Sequence, residues 1–398
     1  MKINQYFLEA NSYLKQSKNS ERMTAKMHDT IIIGAGISGL ACANHLQKHD
    51  KDFLIISKDI GGRILTSEDG TANYGAFFVC SDYENVLPFV TIQSRIRLSD
   101  FCFHENGDVY TLYEPQLLVY LHQFMKAKKL LYRFREALRT FRKNAETVSQ
   151  KKAIESDSFL HRLYMKDAVD LVKENSLGRG TDKYLSKALY STTFSPVHEM
   201  NAFSFLQFLL PLITPIFTFH FEKNRMISSF QDKIVIDSAE DVSYKNGQYK
   251  VKTNKDTFFA KNLVLATELS WSKRFADVKE MNKPVSTHML HIRGTPKKII
   301  SRKRYQLFCH PSMVQSIADL HDGTYLFYYK DKRPSLENYF SNPKVIAHHF
   351  WDPAGRINGH ELIESDRGNN LYLIGDYNVA GLEETYVTGL YAANQIIK

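Results

Sequence analysis

The chain has 398 residues, 43% of them hydrophobic, enough to bury one large or two ordinary domains, which excludes a disordered or fibrous protein. Its formal charge of +9 favours anionic partners (a dinucleotide, a lipid surface, an acidic substrate or nucleic acid) without choosing among them. Four widely separated cysteines, Cys42, Cys80, Cys102 and Cys309, with no Cys/His cluster at ligand spacing, point to neither a disulfide framework nor a metal site, and suit a reducing cytoplasm.

Residues 1–27 lack the unbroken apolar core and cleavage site of a signal peptide. They read as a helical extension with Ile3, Phe7 and Leu14 on one face, packed on its own domain in preference to a partner or a membrane surface. From Asp29 the chain reads strand, glycine turn, helix, strand: DTIIIGAGISGLACANHLQKHDKDFLIIS. The run Ile31–Ile33 predicts a buried parallel strand, and Leu40, Ala43 and Leu46 mark a helix that begins inside the glycine motif. Gly34, Gly36 and Gly39 form GxGxxG. The first permits the tight turn, the second lets the backbone approach a pyrophosphate, and the third lets helix and strand pack closely.

A second glycine pair follows the second strand, Gly61 and Gly62 with Arg63, and then comes Tyr74-Gly75-Ala76-Phe77. A plain nicotinamide-binding domain has no need of these. A glycine pair lets a long cofactor lie along the backbone, and an arginine there neutralises phosphate charge.

Residues 81–230 read as mixed and mostly helical. Ten basic residues stand against Glu136 and Glu146 between positions 126 and 152. The first reading is a solvated helix face and the second is peripheral contact with an anionic membrane; nucleic acid is disfavoured because no reading module accompanies the charge. Residues 203–221, FSFLQFLLPLITPIFTFHF, carry no charged side chain and are interrupted by Pro211 and Pro215. They read first as a buried, broken helix lining an apolar cavity, then as a membrane-dipping segment, and last as a span.

KIVIDSAEDVSYKNGQYKVKTN predicts a hairpin turning at Asn246–Gly247, LVLATE (263–268) a buried strand, and 286–294 and 324–330 further strands. The chain closes on LYLIGDYNVAGLEETYVTGLYAANQIIK, read as strand, glycine turn and helix. Gly375 and Asp376 follow the strand, where an acid suits ribityl hydroxyls. Glu383, Glu384 and Thr385 open the helix, whose N-terminus suits the negative charge of a reduced flavin.

Taken in order, IIIGAGISGL, DIGGRI, YGAFF, the strand around Val242, LVLATE and LYLIGDYN with EETYVTGLYAA resemble the FAD-dependent amine oxidase superfamily. That group includes monoamine and polyamine oxidases, protoporphyrinogen oxidase and phytoene-desaturase-like enzymes. The resemblance covers 29–80, 231–270 and 366–398. It implies an α/β fold: a Rossmann-type FAD-binding domain, discontinuous in sequence (28–80, 231–270 and 366–398), with an interleaved α+β substrate domain (81–230 and 271–365). It places Gly34, Gly36, Ile37, Ser38 and Gly39 at the pyrophosphate, and Ser57 and Lys58 near the adenosine ribose. Gly61, Gly62, Arg63 and Ile64 would run along the ribityl and pyrophosphate groups, with Tyr74, Gly75, Ala76 and Phe77 beside them. Val242 would hold the adenine through its backbone, and Ala266 and Thr267 would end the strand beneath the cofactor. Gly375 and Asp376 would bind the ribityl chain, and Glu384, Thr385 and Tyr386 would meet the pyrimidine side of the flavin. The implied chemistry is hydride transfer from a small amine or an apolar or aromatic C–H substrate to flavin N5.

Three departures stand out. Ser57 replaces the family's ribose-binding acid in a loop two residues shorter than usual, with Asp59 as a substitute carboxylate. Glu384 occupies a position usually given to glycine, either crowding the ring or capping the helix towards solvent. The flavin-facing lysine of many amine oxidases is missing from THMLHIRG, where His288 and His291 are the nearby polar residues. Candidate catalytic side chains are therefore Tyr377, Trp351, His288 and His291, with Phe350 and residues 327–329 as further wall aromatics. The same departures sustain a rival reading, a flavin-binding or flavin-free scaffold without turnover.

Overall fold

The structure, a computed structural model, describes residues 27–279 and 281–398. The helical extension expected for residues 1–27 lies outside the described residues except for Met27, the first residue of β1 (Met27–Gly36). β1 is a run of buried isoleucines, α1 (Ile37–Lys48) opens directly from its last glycine, and β2 (Phe53–Gly61) returns parallel to it.

One seven-stranded sheet grows from this unit. β8 (Ile234–Ile236) lies parallel beyond β2, and β11 (Thr257–Leu265) lies parallel on the other side of β1. The second half of β11 carries parallel β17 (Leu371–Leu373), and its first half carries an antiparallel hairpin, β9 (Ala239–Lys245) and β10 (Gln248–Thr253). That hairpin turns at Asn246 and Gly247, both at positive φ (53° and 77°), as an Asn-Gly turn favours. On one face of the sheet, α1 packs against the closing helix α8 (Leu382–Ile397). They cross so closely at Gly389 that an added Cβ would stand 2.2 Å from the Ser38 carbonyl oxygen. On the other face, Ile31, Ile33, Leu263 and Leu265 pack with Leu269, Ile363 and Tyr377.

A second seven-stranded sheet runs β16 (Phe340–Asn358), β12 (Lys283–Pro296), β15 (Thr324–Tyr329), β14 (Val314–Asp319), β13 (Tyr305–Phe308), β5 (Phe101–Glu105) and β6 (Asp108–Tyr110). A three-stranded sheet pairs β7 (Ile216–Phe221) with β3 (Val79–Cys80) and β4 (Val90–Ile96). Helices α2 (Leu117–Asn144), α3 (Gln150–Ser156), α4 (Ser158–Tyr164), α5 (Ala168–Glu174), α6 (Ser186–Thr193) and α7 (Ala202–Leu209) share their own core around Phe134, Leu138, Tyr164, Phe203 and Phe205. α2 buries Ala127, Leu131, Phe134, Leu138 and Phe141, alternately four and three residues apart, as one face of a helix requires.

The uncharged stretch 203–221 departs from the broken helix expected of it. Only its first part is helical, as α7 and a short 3₁₀ turn at Leu210–Leu212; from Ile216 it is β7. Pro211 and Pro215 cannot donate to a continuing helix, and the alternating aromatic and β-branched run IFTFHF then pairs on both edges. Among the described residues no helix is long and apolar enough to cross a membrane.

Candidate functional site

A cavity of about 1430 Å³ begins at the ends of β1, β2 and β11, passes the start of α8, and continues between the helices and the second sheet. A pocket for one drug-sized ligand is typically about 300–1,000 Å³, so this space suits a long cofactor together with a second molecule.

Its first section is made by the two glycine turns. β1 and β2 pair with Gly36 opposite Gly61, and an added Cβ on Gly62 would lie 3.2 Å from the Gly36 Cα, so the turns touch. Gly36 has ordinary extended backbone (φ −74°, ψ 178°), and a Cβ built there would meet no protein atom within 4 Å. The position therefore does not need glycine for the fold; the missing side chain leaves room in the cavity. No side chain caps α1, so its first-turn N–H groups are available to an anion. Gly39 has the opposite role. Its Cβ would stand 2.0 Å from the Gly34 carbonyl oxygen, and it is a packing residue outside the cavity wall.

Further along lie Arg63 and Asp376. The guanidinium donates from Nη1 to Asp376 Oδ2 (2.7 Å) and from Nη2 to Oδ1 (2.6 Å), and Nη1 also reaches the Ala354 carbonyl (3.1 Å). Burial opposes the charge on Asp376, but the Arg63 charge and hydrogen bonds together outweigh it and hold the carboxyl below its usual range. Arg63, expected to face phosphate, instead fixes the acid expected to face the ribityl chain. A folded-state pKa below the unfolded value stabilises the protein above that unfolded value and is lost as pH falls through the folded one. In urea denaturation, the stability difference between wild type and Asp376→Asn should therefore hold steady at neutral pH and shrink below about pH 4. A difference that persists in acid would contradict the pairing.

Next, Glu384 is 1% exposed and pairs with Arg142 of α2, which donates from Nε (3.0 Å) and Nη2 (2.7 Å) to Oε1. It is turned inward, not to solvent, and the basic run contributes one buried residue to the cavity wall. The neighbouring Glu383 is also buried; its carboxylate accepts from the backbone N–H groups of Glu84, Asn85 and Val86, pinning that loop to the start of α8.

The wall also carries polar atoms that the protein leaves unpaired. Seven buried side-chain atoms have no hydrogen-bond partner among the described residues, and five of them belong to wall residues: Tyr184 Oη, Gln207 Oε1, Thr214 Oγ1, Tyr305 Oη and Glu384 Oε2. Buried polar groups are nearly always bonded, so these five are exceptions that cluster in residues of the wall. The open space at Gly36 and the uncapped N–H groups of α1 fit the pyrophosphate of a flavin dinucleotide.

Most residues expected at the cofactor line this cavity: Gly34, Gly36, Ile37, Ser38, Ser57, Lys58, Gly61 to Ile64, Tyr74 to Phe77, Ala266, Thr267, Gly375, Asp376, Glu384 and Thr385. Val242 and Tyr386 do not. The cavity reaches the sheet edge earlier, at Asp237–Ala239, because β8 runs parallel to β2 and brings the Asp237 N–H onto the Ser57 carbonyl (3.0 Å); Val242 is three residues into the hairpin. Tyr386 faces the core, stacked on Phe89. Ser57 Oγ accepts from the Ala35 N–H (3.1 Å) and so braces the first glycine turn, while Asp59 and the unforeseen Asp237 stand at the same end of the cavity.

Of the candidate catalytic side chains, Tyr377 and Trp351 line the cavity, whereas His288 and His291 do not. His291 is buried between Tyr74 Oη (3.0 Å) and Thr324 Oγ1 (2.8 Å), and burial pushes its pKa down. His288 stacks on Tyr329 and on Phe350, itself a wall residue, but does not line the cavity. The Trp351 indole N–H donates to the Tyr74 carbonyl (3.1 Å), and Tyr377 Oη donates to the Thr267 carbonyl (2.5 Å), its phenol raised by burial, so both rings are fixed walls. Of residues 327–329 only Tyr328 reaches the cavity, because alternate residues of β15 face opposite sides.

A family profile described as an NAD(P)-binding Rossmann-like domain matches residues 32–91. No curated protein matches the sequence. Among solved structures, putrescine oxidase bound to putrescine is similar over 94% of this chain and 99% of that one, at 13% identity and TM-score 0.65. The CLA-producing fatty acid isomerase from P. acnes is similar over 91% and 97%, at 14% identity and TM-score 0.68. Cyclohexylamine oxidase from Brevibacterium oxydans IH-35A is similar over 93% and 98%, at 14% identity and TM-score 0.60. The chain thus shares the α/β fold of these oxidases and of the isomerase, with a Rossmann-like unit at its start.

Proposed function

We propose that the protein is a FAD-dependent oxidoreductase acting on the C–H bond of an apolar or aromatic substrate. Residues 28–80, 231–270 and 366–398 would form the cofactor half, and 81–230 with 271–365 the substrate half. Supporting this is the division of one cavity into two parts. The glycine turns and the start of α1 offer N–H groups to a pyrophosphate, with Asp59 and Asp237 placed for ribose hydroxyls and the Arg63–Asp376 pair beside the ribityl path. FAD bound there would supply a hydride acceptor at flavin N5, reoxidised by dioxygen or another acceptor.

The chain's own work is positioning and the exclusion of water. Trp351 and Tyr377, locked by their hydrogen bonds, hold the walls near the flavin end, while Phe103, Phe194, Phe208, Leu212 and Tyr328 enclose the remainder.

The charge of the wall supports this substrate class. From Phe77 to Ile216, and from Tyr305 to Tyr328, no wall residue is Asp or Glu. Of the other wall acids, Glu268, Asp376 and Glu384 are each paired with arginine, and Asp352, exposed beside Trp351, makes no ion pair among the described residues. Putrescine oxidase and cyclohexylamine oxidase are named for amines, but the wall stretches from Phe77 to Ile216 and from Tyr305 to Tyr328 offer an ammonium group no carboxylate, and an apolar donor fits them better.

An anaerobic titration of the FAD-loaded protein tests the reading. Apolar or aromatic donors should bleach the flavin saturably and amines should not. Bleaching by amines alone would overturn the substrate class, and no bleaching by any donor would favour a scaffold without turnover.

A further inference from the structure

The exposed face of α2 is unusual for a water-facing helix. Leu118, Leu121, Met125 and Tyr132 are 73%, 50%, 58% and 40% exposed and spaced three, four and seven apart, so they form one stripe opposite the buried stripe of the same helix. Lys126, Lys129 and Arg133 flank the stripe on one side and Lys128 on the other, all exposed. Between Pro115 and Arg135 there is no Asp or Glu. An apolar stripe between rows of basic side chains is the pattern of a helix lying in a membrane interface, and scattered surface leucines do not produce it.

The stripe also leads into the cavity. Lys128 and Tyr132 belong to both the exposed face and the cavity wall, and exposed Tyr113, Arg95 and Arg97 complete the rim on that side. Arg95, Arg97 and Lys128 make no ion pair among the described residues. The mouth is therefore cationic, next to an exposed apolar stripe, and opens into an apolar chamber.

We propose that the exposed face of α2 docks on an anionic lipid bilayer, so that the cavity opens at the membrane surface and draws its apolar substrate from there. Apolar side chains enter the interface while the flanking lysines and arginines meet anionic headgroups. Docking of this kind does not depend on flavin or turnover and is tested separately from the redox reading; the supply of substrate from the bilayer rests on the apolar-substrate reading.

Sedimentation with phosphatidylcholine vesicles, with and without phosphatidylserine, tests it on the full chain. Each basic side chain near an anionic surface strengthens binding roughly fivefold, so Lys126→Gln/Lys129→Gln/Arg133→Gln should lose about 100-fold on phosphatidylserine vesicles, and added salt should weaken the wild type. Leu118→Ser/Leu121→Ser/Met125→Ser should lose binding at low salt too. None of these six residues lines the cavity, and all are exposed, so unchanged melting temperatures would confirm that the variants are folded. Equal binding of wild type and both folded variants, or no wild-type binding to either vesicle, would overturn the proposal. So would a concentration-dependent dimer abolished by the serine variant, which would assign the face to a second copy of the chain.

Discussion

Replacing Arg142 with methionine is expected to destabilise the protein by about 3–5 kcal/mol, read as a lowered denaturation midpoint in urea. Arg142 and Glu384 are only 11% and 1% exposed at their side chains, and Asp82 meets the same guanidinium at 3.3 Å. Methionine keeps the apolar stem on α2 but leaves the Glu384 carboxylate buried without a counter-charge, with Oε2 already lacking a partner. Removing one member of a buried pair costs far more than the pair gains over an uncharged replacement, because the remaining charge is desolvated and uncompensated. Arg142→Met/Glu384→Gln should therefore recover most of the loss, and the double-mutant cycle should show strong coupling. A loss below about 1 kcal/mol for Arg142→Met alone would mean that the pair behaves as a surface ion pair, contrary to its burial.

Gly36→Val is expected to weaken FAD binding by roughly 100-fold or more while the apoprotein loses no more than about 1 kcal/mol of stability. The contrast comes from geometry. The backbone at Gly36 is in a region open to any residue, and an added Cβ meets no protein atom within 4 Å, so a side chain starts there into open cavity space at little expected cost to folding. The same side chain occupies the space beside the first-turn N–H groups of α1 that a pyrophosphate needs. Gly39→Val, which drives a Cβ into the Gly34 carbonyl, would unfold the turn and could not separate binding from folding. Fluorescence titration of apoprotein with FAD, alongside thermal melts, distinguishes the two effects.

The βαβ start and the closing strand and helix were legible because their signals are local: hydrophobic period, glycine spacing and an Asn-Gly turn each act within a dozen residues. The cofactor end of the cavity was therefore largely readable from Gly34 to Thr267. What escaped depends on distance in the chain. The Arg142–Glu384 contact joins residues 242 apart, so nothing near either one reveals that a basic run turns one member inward or that a glutamate at a helix start is buried. The histidines of β12 were ambiguous because alternation says that residues face opposite sides of a sheet, but not which side meets a cavity. Val242 was displaced by a matter of register. Pairing of β8 with β2 delivers Asp237 to the end of Ser57, a relation set by the sheet and invisible in either segment alone. Composition showed that residues 203–221 are buried, but an uncharged apolar run does not distinguish helix from strand once prolines divide it.

The account rests on one claim, that the glycine-lined end of the cavity holds FAD. The most direct test is the visible absorption spectrum of the purified wild-type protein beside Gly36→Val, followed by identification of any chromophore released on denaturation. The expected result is an oxidised-flavin spectrum and released FAD from wild type, or its appearance on adding FAD, and a colourless but folded variant. A folded wild type that is colourless and fails to take up added FAD would contradict the claim.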